Sequence, residues 1–564
     1  MAGYDRLSNL PDDLLRRVLH FAPVREAAST SALSTRWRGL SRSSGAVNLE
    51  TRVAKGTDRK MCMYYVEADD PYLSQRKVFI SAAKAALVAS EAAVTRLTFR
   101  VEGVDSEDSI YFYSFLYHGS KSERVDVLAD LLSHPAARQV EELRLATGEF
   151  DDCPLDQEVR WLRTGLYDLS FLSLPSKTLR VLEIAGCKGF KTPVGVFPLL
   201  ASLRLSFCKI LLEHLQSLID ATPALATLHL QSVKLKGDHG PGETGKQSSL
   251  RLRCPSVTAL LLEKCNWKEE EANAYAHSTT NTAVDINAPR LRRFTYKGLL
   301  RQITLRSQVP NMARVELHIF DEYRPAGDEN LRRAIFWRVL HNFSHAMELK
   351  LRVNHLEDIA IVGASERTDL LRPFGNLGRL ELEGLHRPKG KTAAVAIANL
   401  LRCCPVVRDL RISLTTAQGG SSRESRYGTC FLERKYRHDL DKSIHNYKRR
   451  RLEPMVSVKG DDEDAHDDAA FDQVPDLPAL SGRLFNCLQA SLKCLRLQFR
   501  KEKTNCFGLK LIKFFAENAV VLEEMRIDSG NGKLCEHIEV ERWVAHSSKK
   551  RKTNLRVLPL ERQN

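Results

Sequence analysis

The chain has 564 residues, of which 43% are hydrophobic and 27% charged, with a net charge of +15. That length exceeds one core and predicts two or more structural units of ordinary globular composition. No apolar run is long enough to cross a bilayer, and "MAGYDRLSNL" lacks the basic-then-apolar order of a secretory signal. The thirteen cysteines therefore read as reduced thiols of the cytosol or nucleus. Much of the basic excess sits in "KRRR" (448–451) and "KKRK" (549–552). These runs read as nuclear-import signals or solvated loop charge, and neither forms a groove-binding surface for nucleic acid.

The first element is a helix in "NLPDDLLRRVLHFAP" (9–23). Pro11 suits its first turn, Asp12 and Asp13 favour the positive end of its dipole, and Pro23 stops it. Leu10, Leu14, Leu15, Val18, Leu19 and Phe21 cover more than one face. A second helical segment follows in 24–40, with Val24, Ala27, Ser31, Leu33, Trp37 and Leu40 at helical spacing. About forty residues seldom fold unaided. This unit either packs onto the rest of the chain or completes its core on another protein.

From residue 94 to residue 527 one beat recurs: "VTRLTF", "VEELRL", "LRVLEI", "LASLRL", "LATLHL" and their later relatives down to "LKCLRL" and "LEEMRI". Each ends apolar–any–apolar, the mark of a short half-buried strand. Spacings of roughly twenty to forty-odd residues fit irregular leucine-rich repeats. Helices separate the beats, as in "LLEHLQSLIDATPALATLHL" (211–230) and "KTAAVAIANLLRCCPVVRDLRI" (391–412). Such units bury their inner sides by stacking into a curved solenoid, or horseshoe, with strands lining its concave face. Three beats read L-x-[LI]-x-x-C, placing Cys187, Cys208 and Cys265 in the slot that turns inward to bond the neighbouring coil. Between about 416 and 482 the beat fails, and opposed charge blocks such as "DDEDAHDD" (461–468) predict a disordered or loosely helical insertion.

The middle residue of each triplet is expected to face away from the core. These residues are Arg144, Glu183, Arg204, His229, Leu261, Thr295, Glu316, Lys350, Glu381, Arg411, Arg496 and Arg526. Cations outnumber anions six to three, which favours an acidic partner or merely solubilises exposed strands. Arg144, Arg204, His229, Lys350 and Arg411 are the candidate target-binding residues. Catalytic and cofactor motifs are lacking. "GPGETGKQ" nearly matches a phosphate-binding loop through Gly240, Gly245 and Lys246, but Gln247 stands where magnesium needs Ser or Thr. His341 and His345 stand four apart with no third ligand, so no metal site is expected.

The amino-terminal residues resemble an F-box: Leu10-Pro11, Leu14-Leu15, Val18-Leu19, Phe21 before Pro23, then "SALSTRWR" from Ser31 to Arg38. Ala22 and Ser41 depart from the usual Leu and Trp. The segment 492–527, with Leu511, Phe514, Phe515 and "ENAVVLEEM", resembles the FBD segment of plant F-box/leucine-rich-repeat proteins. The resemblance implies an all-α F-box at 1–45, a helical connector and the start of the solenoid at 46–93, and leucine-rich repeats at 94–415. After the insertion (416–482) come terminal repeats at 483–530 and a tail at 531–564. It further implies a non-catalytic substrate receptor of an SCF-type cullin–RING ubiquitin ligase, acting in nucleus or cytoplasm without a cofactor. Leu10, Pro11, Leu14, Leu15, Val18, Leu19 and Trp37 are then positions that contact a Skp-type adaptor or form the F-box core, and the repeats hold a protein target. The alternative is a repeat scaffold uncoupled from ubiquitin.

Overall fold

A computed structural model describes residues 10–30, 32, 35–53, 71–103, 116–118, 125–148, 167–169, 174–188, 195–236, 249–266, 283–320, 329–387, 390–416, 474–499, 507–528, 543–544 and 554–559. The Gly-rich segment 240–247, both basic runs and the acidic run 461–468 lie outside the described residues. The chain divides into two compact units, Met1–Thr280 and Asn281–Asn564.

The first unit opens with three helices, α1 (Asp12–Phe21), α2 (Val24–Thr30) and α3 (Thr35–Arg42). A parallel ladder follows: β1 (Ala46–Val53), β2 (Arg96–Gly103), β3 (Glu142–Gly148), β4 (Val181–Ala185), β5 (Ser202–Ser206), β6 (Thr227–Gln231) and β7 (Ala259–Glu263). The second unit carries its own: β8 (Arg293–Leu299), β9 (Arg314–Phe320), β10 (Glu348–His355), β11 (Arg379–His386), β12 (Asp409–Thr416), β13 (Cys494–Gln498), β14 (Glu524–Asp528) and β15 (Arg556–Pro559). Every beat named by the sequence lies on one of these strands.

Register holds from strand to strand, apart from one irregularity between Val353 and His355 at the end of β10, and this lets the leucines make a core. Leu143, Leu182, Leu203, Leu228 and Leu260 are register partners from strand to strand and are fully buried. Burial alternates along each strand because successive side chains point to opposite faces. Burying each such leucine contributes about 2 kcal/mol. Helices such as Leu212–Asp220 and Lys391–Cys403 return the chain, turning Leu215, Leu218 and Ile219, or Ile397, Leu400 and Leu401, inward.

Four successive coils of the first unit turn at one place. The residue four past the first ladder leucine has a left-handed backbone in each: Gly186 (φ 77°), Phe207 (52°), Ser232 (50°) and Lys264 (52°). The next side chain is thereby swung inward, and in three coils it is the expected cysteine. Cys208 Sγ lies 3.6 Å from Ile184 O and Cys265 Sγ 3.4 Å from Leu230 O, both carbonyls of the preceding coil. Cys187 is buried against Thr147 of the preceding coil. Burial pushes the Cys208 thiol up to about 12, so it packs as a small hydrophobe rather than a nucleophile.

The ladder begins at β1, inside the segment 46–93 expected to hold the start of the solenoid, where Ala46 pairs with Arg96 and Val47 and Leu49 already alternate inward. Two boundaries move. Residues 474–482, assigned by composition to the charged insertion, bury Val474, Leu477 and Leu480. The segment assigned to the tail supplies β15, whose Arg556 pairs with Glu524. Among the described residues no helix is long and apolar enough to cross a membrane.

Gly186 has the least room at the turn, since a Cβ added there would sit 1.6 Å from Thr147 O. Gly186→Ala is expected to cost about 2 kcal/mol or more in urea unfolding, combining left-handed strain with a backbone clash. Gly195→Ala, which meets open space, should stay within about 0.5 kcal/mol. Equal losses at the two positions would refute the turn requirement.

Candidate functional site

At the head of α1, Pro11 O accepts from both Leu14 N and Leu15 N at 3.1 Å. Arg36 of α3 clamps this end, donating from Nε to Asp12 Oδ1 (2.8 Å) and from Nη2 to Leu10 O (2.7 Å). The helix then divides its apolar residues between two faces. Leu15 (0% exposed) and Leu19 (3%) join Ala27, Trp37 and Leu40 in a small core, with Leu10 and Ala22 packed at its margin. Leu14 (47%), Val18 (51%) and Phe21 (57%) stay exposed.

Pro11, Leu14, Val18 and Phe21 follow a three–four–three spacing, so they form one stripe down one side of the helix. Pro11 is also exposed. Of the seven positions implied for adaptor contact or F-box core, Pro11, Leu14 and Val18 therefore lie on the open stripe. Leu15, Leu19 and Trp37 lie in the core, and Leu10 is half-buried between them. Phe21 extends the stripe by one turn, and the Arg96 guanidinium of β2 caps its ring at 4.4 Å.

The far end of α1 is fastened to the ladder. Asn48 of β1 is buried and donates through Nδ2 to His20 O (3.0 Å) and Ala22 O (2.9 Å), carbonyls at the end of the helix. His20 Nδ1 lies 3.0 Å from Ser44 O, and since a carbonyl only accepts, this nitrogen carries the proton. The helical unit thus packs on its own chain at one end and keeps a free apolar side.

The outward positions of the ladder are half-buried and mostly neutralised by neighbours. In the first unit, Arg144 meets Glu142 at 2.6 Å and Glu183 at 3.6 Å. Arg204 donates to Gln231 Oε1 at 2.7 Å, and His229 Nε2 lies 3.4 Å from Glu263 without a hydrogen bond. In the second unit the register row runs Thr295, Glu316, Lys350, Glu381, Arg411, Arg496, Arg526. Signs alternate from Glu316 to Arg411, with Lys350 Nζ 2.7 Å from Glu381. Then three arginines stand side by side. Counting charges along the sequence hides this break, whereas reading the same residues in strand order exposes it.

The other sequence candidates have packing roles. His341 ends the helix Glu329–His341, its ring lying between Trp337 and Phe374 with Nε2 against Leu370 O. Burial lowers its pKa, and His345 lies in the following turn, so the two histidines do not share a helical face. Among the described residues no group of three metal-binding side chains comes together.

The F-box domain family matches residues 7–45, and the family described as "FBD-associated F-box protein At5g56370, LRR repeats" matches residues 128–380. The chain is similar to F-box/LRR-repeat protein At3g59190 of Arabidopsis thaliana, 28% identical over 266 residues, 47% of this chain and 51% of that protein. A second F-box/LRR-repeat protein of Arabidopsis thaliana, At5g54820, is 28% identical over 233 residues, 40% of this chain and 43% of its own length. F-box/LRR-repeat protein At2g42720 of the same plant is 53% identical over 36 residues, 6% of this chain and 8% of that protein. The chain thus spans about half the length, or less, of these curated relatives.

Asn48 serves two buried carbonyls, so Asn48→Ala is expected to loosen α1 by about 1–3 kcal/mol. Hydrogen exchange should quicken in residues 12–22 and stay unchanged in residues 409–416. Uniform exchange rates in the variant would show that Asn48 does not anchor the helix.

Proposed function

As a member of the plant F-box/leucine-rich-repeat family, to which its own F-box and FBD-associated repeats assign it, this chain is, we propose, the substrate receptor of an SCF-type cullin–RING ubiquitin ligase. α1 docks on a Skp-type adaptor and the repeats hold a protein target. The observation that carries the reading is the exposed stripe Leu14, Val18 and Phe21 beside the buried Leu15 and Leu19. A helix that keeps three large apolar side chains in water on one side gains by covering them with a second protein.

Such a receptor performs no bond chemistry. It raises the local concentration of target lysines beside the ubiquitin-charged enzyme, an effective-concentration gain that needs no catalytic group of its own. The matched families are non-catalytic ones, in keeping with this role. Anchorage of α1 to β1 by Asn48 supports transmission of adaptor position to the first repeats without a swivel. The basic runs 448–451 and 549–552 support a nuclear or cytoplasmic place of action.

Pull-down of a plant Skp-type adaptor by the full chain tests this reading. Truncating a central anchor, Leu14→Ala or Val18→Ala, should weaken capture by about 2 kcal/mol, roughly thirtyfold, while Arg16→Ala should change it little. Leu15→Ala should lower thermal stability as well as capture, because that side chain is fully buried. Undiminished capture by the Leu14→Asp/Val18→Asp double variant would remove the stripe as the docking face.

A further inference from the structure

We propose that the strand face at β12–β14 binds an anionic side chain of the protein target, with Arg496 at the centre of the site. The inference rests on the reading that the repeats hold a target, and it names the chemistry of what they hold. Arg411, Arg496 and Arg526 are register partners on three adjacent parallel strands. Neighbouring strands are about 4.8 Å apart, so three guanidinium groups fall within about 10 Å on one face.

A ladder that only needed solubility would continue the alternation seen from Glu316 to Arg411. Here it stops. The flanking arginines keep carboxylates two residues back on their own strands: Arg411 Nη2 lies 3.2 Å from Asp409, and Arg526 Nε 2.6 Å from Glu524. Asp409 is shared, because Arg379 also donates to it at 2.9 Å. At the corresponding place before Arg496 the chain has Cys494, which holds no negative charge there since burial and the nearby carboxylates push its thiol up.

Arg496 accordingly has no ion-pair partner among the described residues, and its Nε is buried without a hydrogen bond. An unsatisfied guanidinium between two others is a poor arrangement for the free chain and a good one for an oxyanion. Planar forks on adjacent strands suit a phosphoryl group, or the carboxylates of a short acidic run, and both present the same oxygen chemistry.

Fluorescence anisotropy with the full-length chain tests the proposal, using three labelled peptides that differ only in their centre. One has three consecutive glutamates, one a single phosphoserine flanked by glycines, and one three glutamines. Saturable binding of the glutamate or the phosphoserine peptide, but not of the glutamine peptide, is expected, weakening as salt rises. Whichever anionic peptide binds tighter identifies the source of the oxyanion. Arg496→Glu and the milder Arg496→Gln should each lower affinity at least tenfold. Arg180→Glu, an exposed position of the first unit outside the outward row, should stay within twofold, with circular dichroism reporting that each variant is folded. No binding of either anionic peptide, or binding unaffected by Arg496→Gln, overturns the site. Loss of adaptor capture with peptide binding intact would instead overturn the ligase reading and leave this site standing.

Discussion

Hydrogen bonding between parallel strands in one fixed register is the constraint from which the other features of this molecule derive. Because Leu182, Leu203, Leu228 and Leu260 are partners across adjacent strands, their side chains stack into a continuous core. A slip of one residue would turn that core outward. In four coils of the first unit the chain also leaves its strand at one place, and Phe207, Ser232 and Lys264 accept a left-handed backbone there although none is glycine. The register also stacks outward side chains row upon row, so the sign of each charge is felt by its neighbours. Surface ion pairs of this kind contribute only about 0–1 kcal/mol each, so the leucines hold the ladder and the charges decorate it.

Against that background two surfaces stand out among the described residues because neighbouring side chains cover or pair them only in part. One is apolar, along α1, and the other is cationic, across β12 to β14. The first belongs to a helix whose opposite side packs on Trp37 and Leu40 and whose end is tied to β1 through Asn48. A docking helix joined in this manner shares the rigidity of the first coils. The second lies on strands whose inward residues Leu410, Leu495 and Met525 are fully packed, so its arginines project from a firm base. Preorganised sites lose less conformational entropy when they bind.

Much of this was legible in the sequence, for physical reasons that also explain the gaps. Period-two alternation marked each of the named beats, and Pro11, Asp12 and Pro23 marked the first helix. β1 was missed because Val47 and Leu49 stand without a preceding beat to set a period, and β15 because "RVLP" is short and ends in proline. The division of Leu14 from Leu15 needs the position of α3, which α1's own residues do not encode. The left-handed turns were invisible where glycine is absent, since Phe207, Ser232 and Lys264 carry no local signal for that backbone. The arginine row was present in the sequence, yet it has meaning only once Cys494 is known to occupy the place that carboxylates fill beside Arg411 and Arg526.

The most direct measurement is hydrogen exchange of the full chain with and without a purified Skp-type adaptor, read segment by segment. If the free side of α1 is half of a shared core, amides of residues 12–22 should become strongly protected in the complex, while those of residues 409–416 keep their rates. An adaptor that leaves α1 unprotected, or fails to associate with the folded chain, would contradict the account.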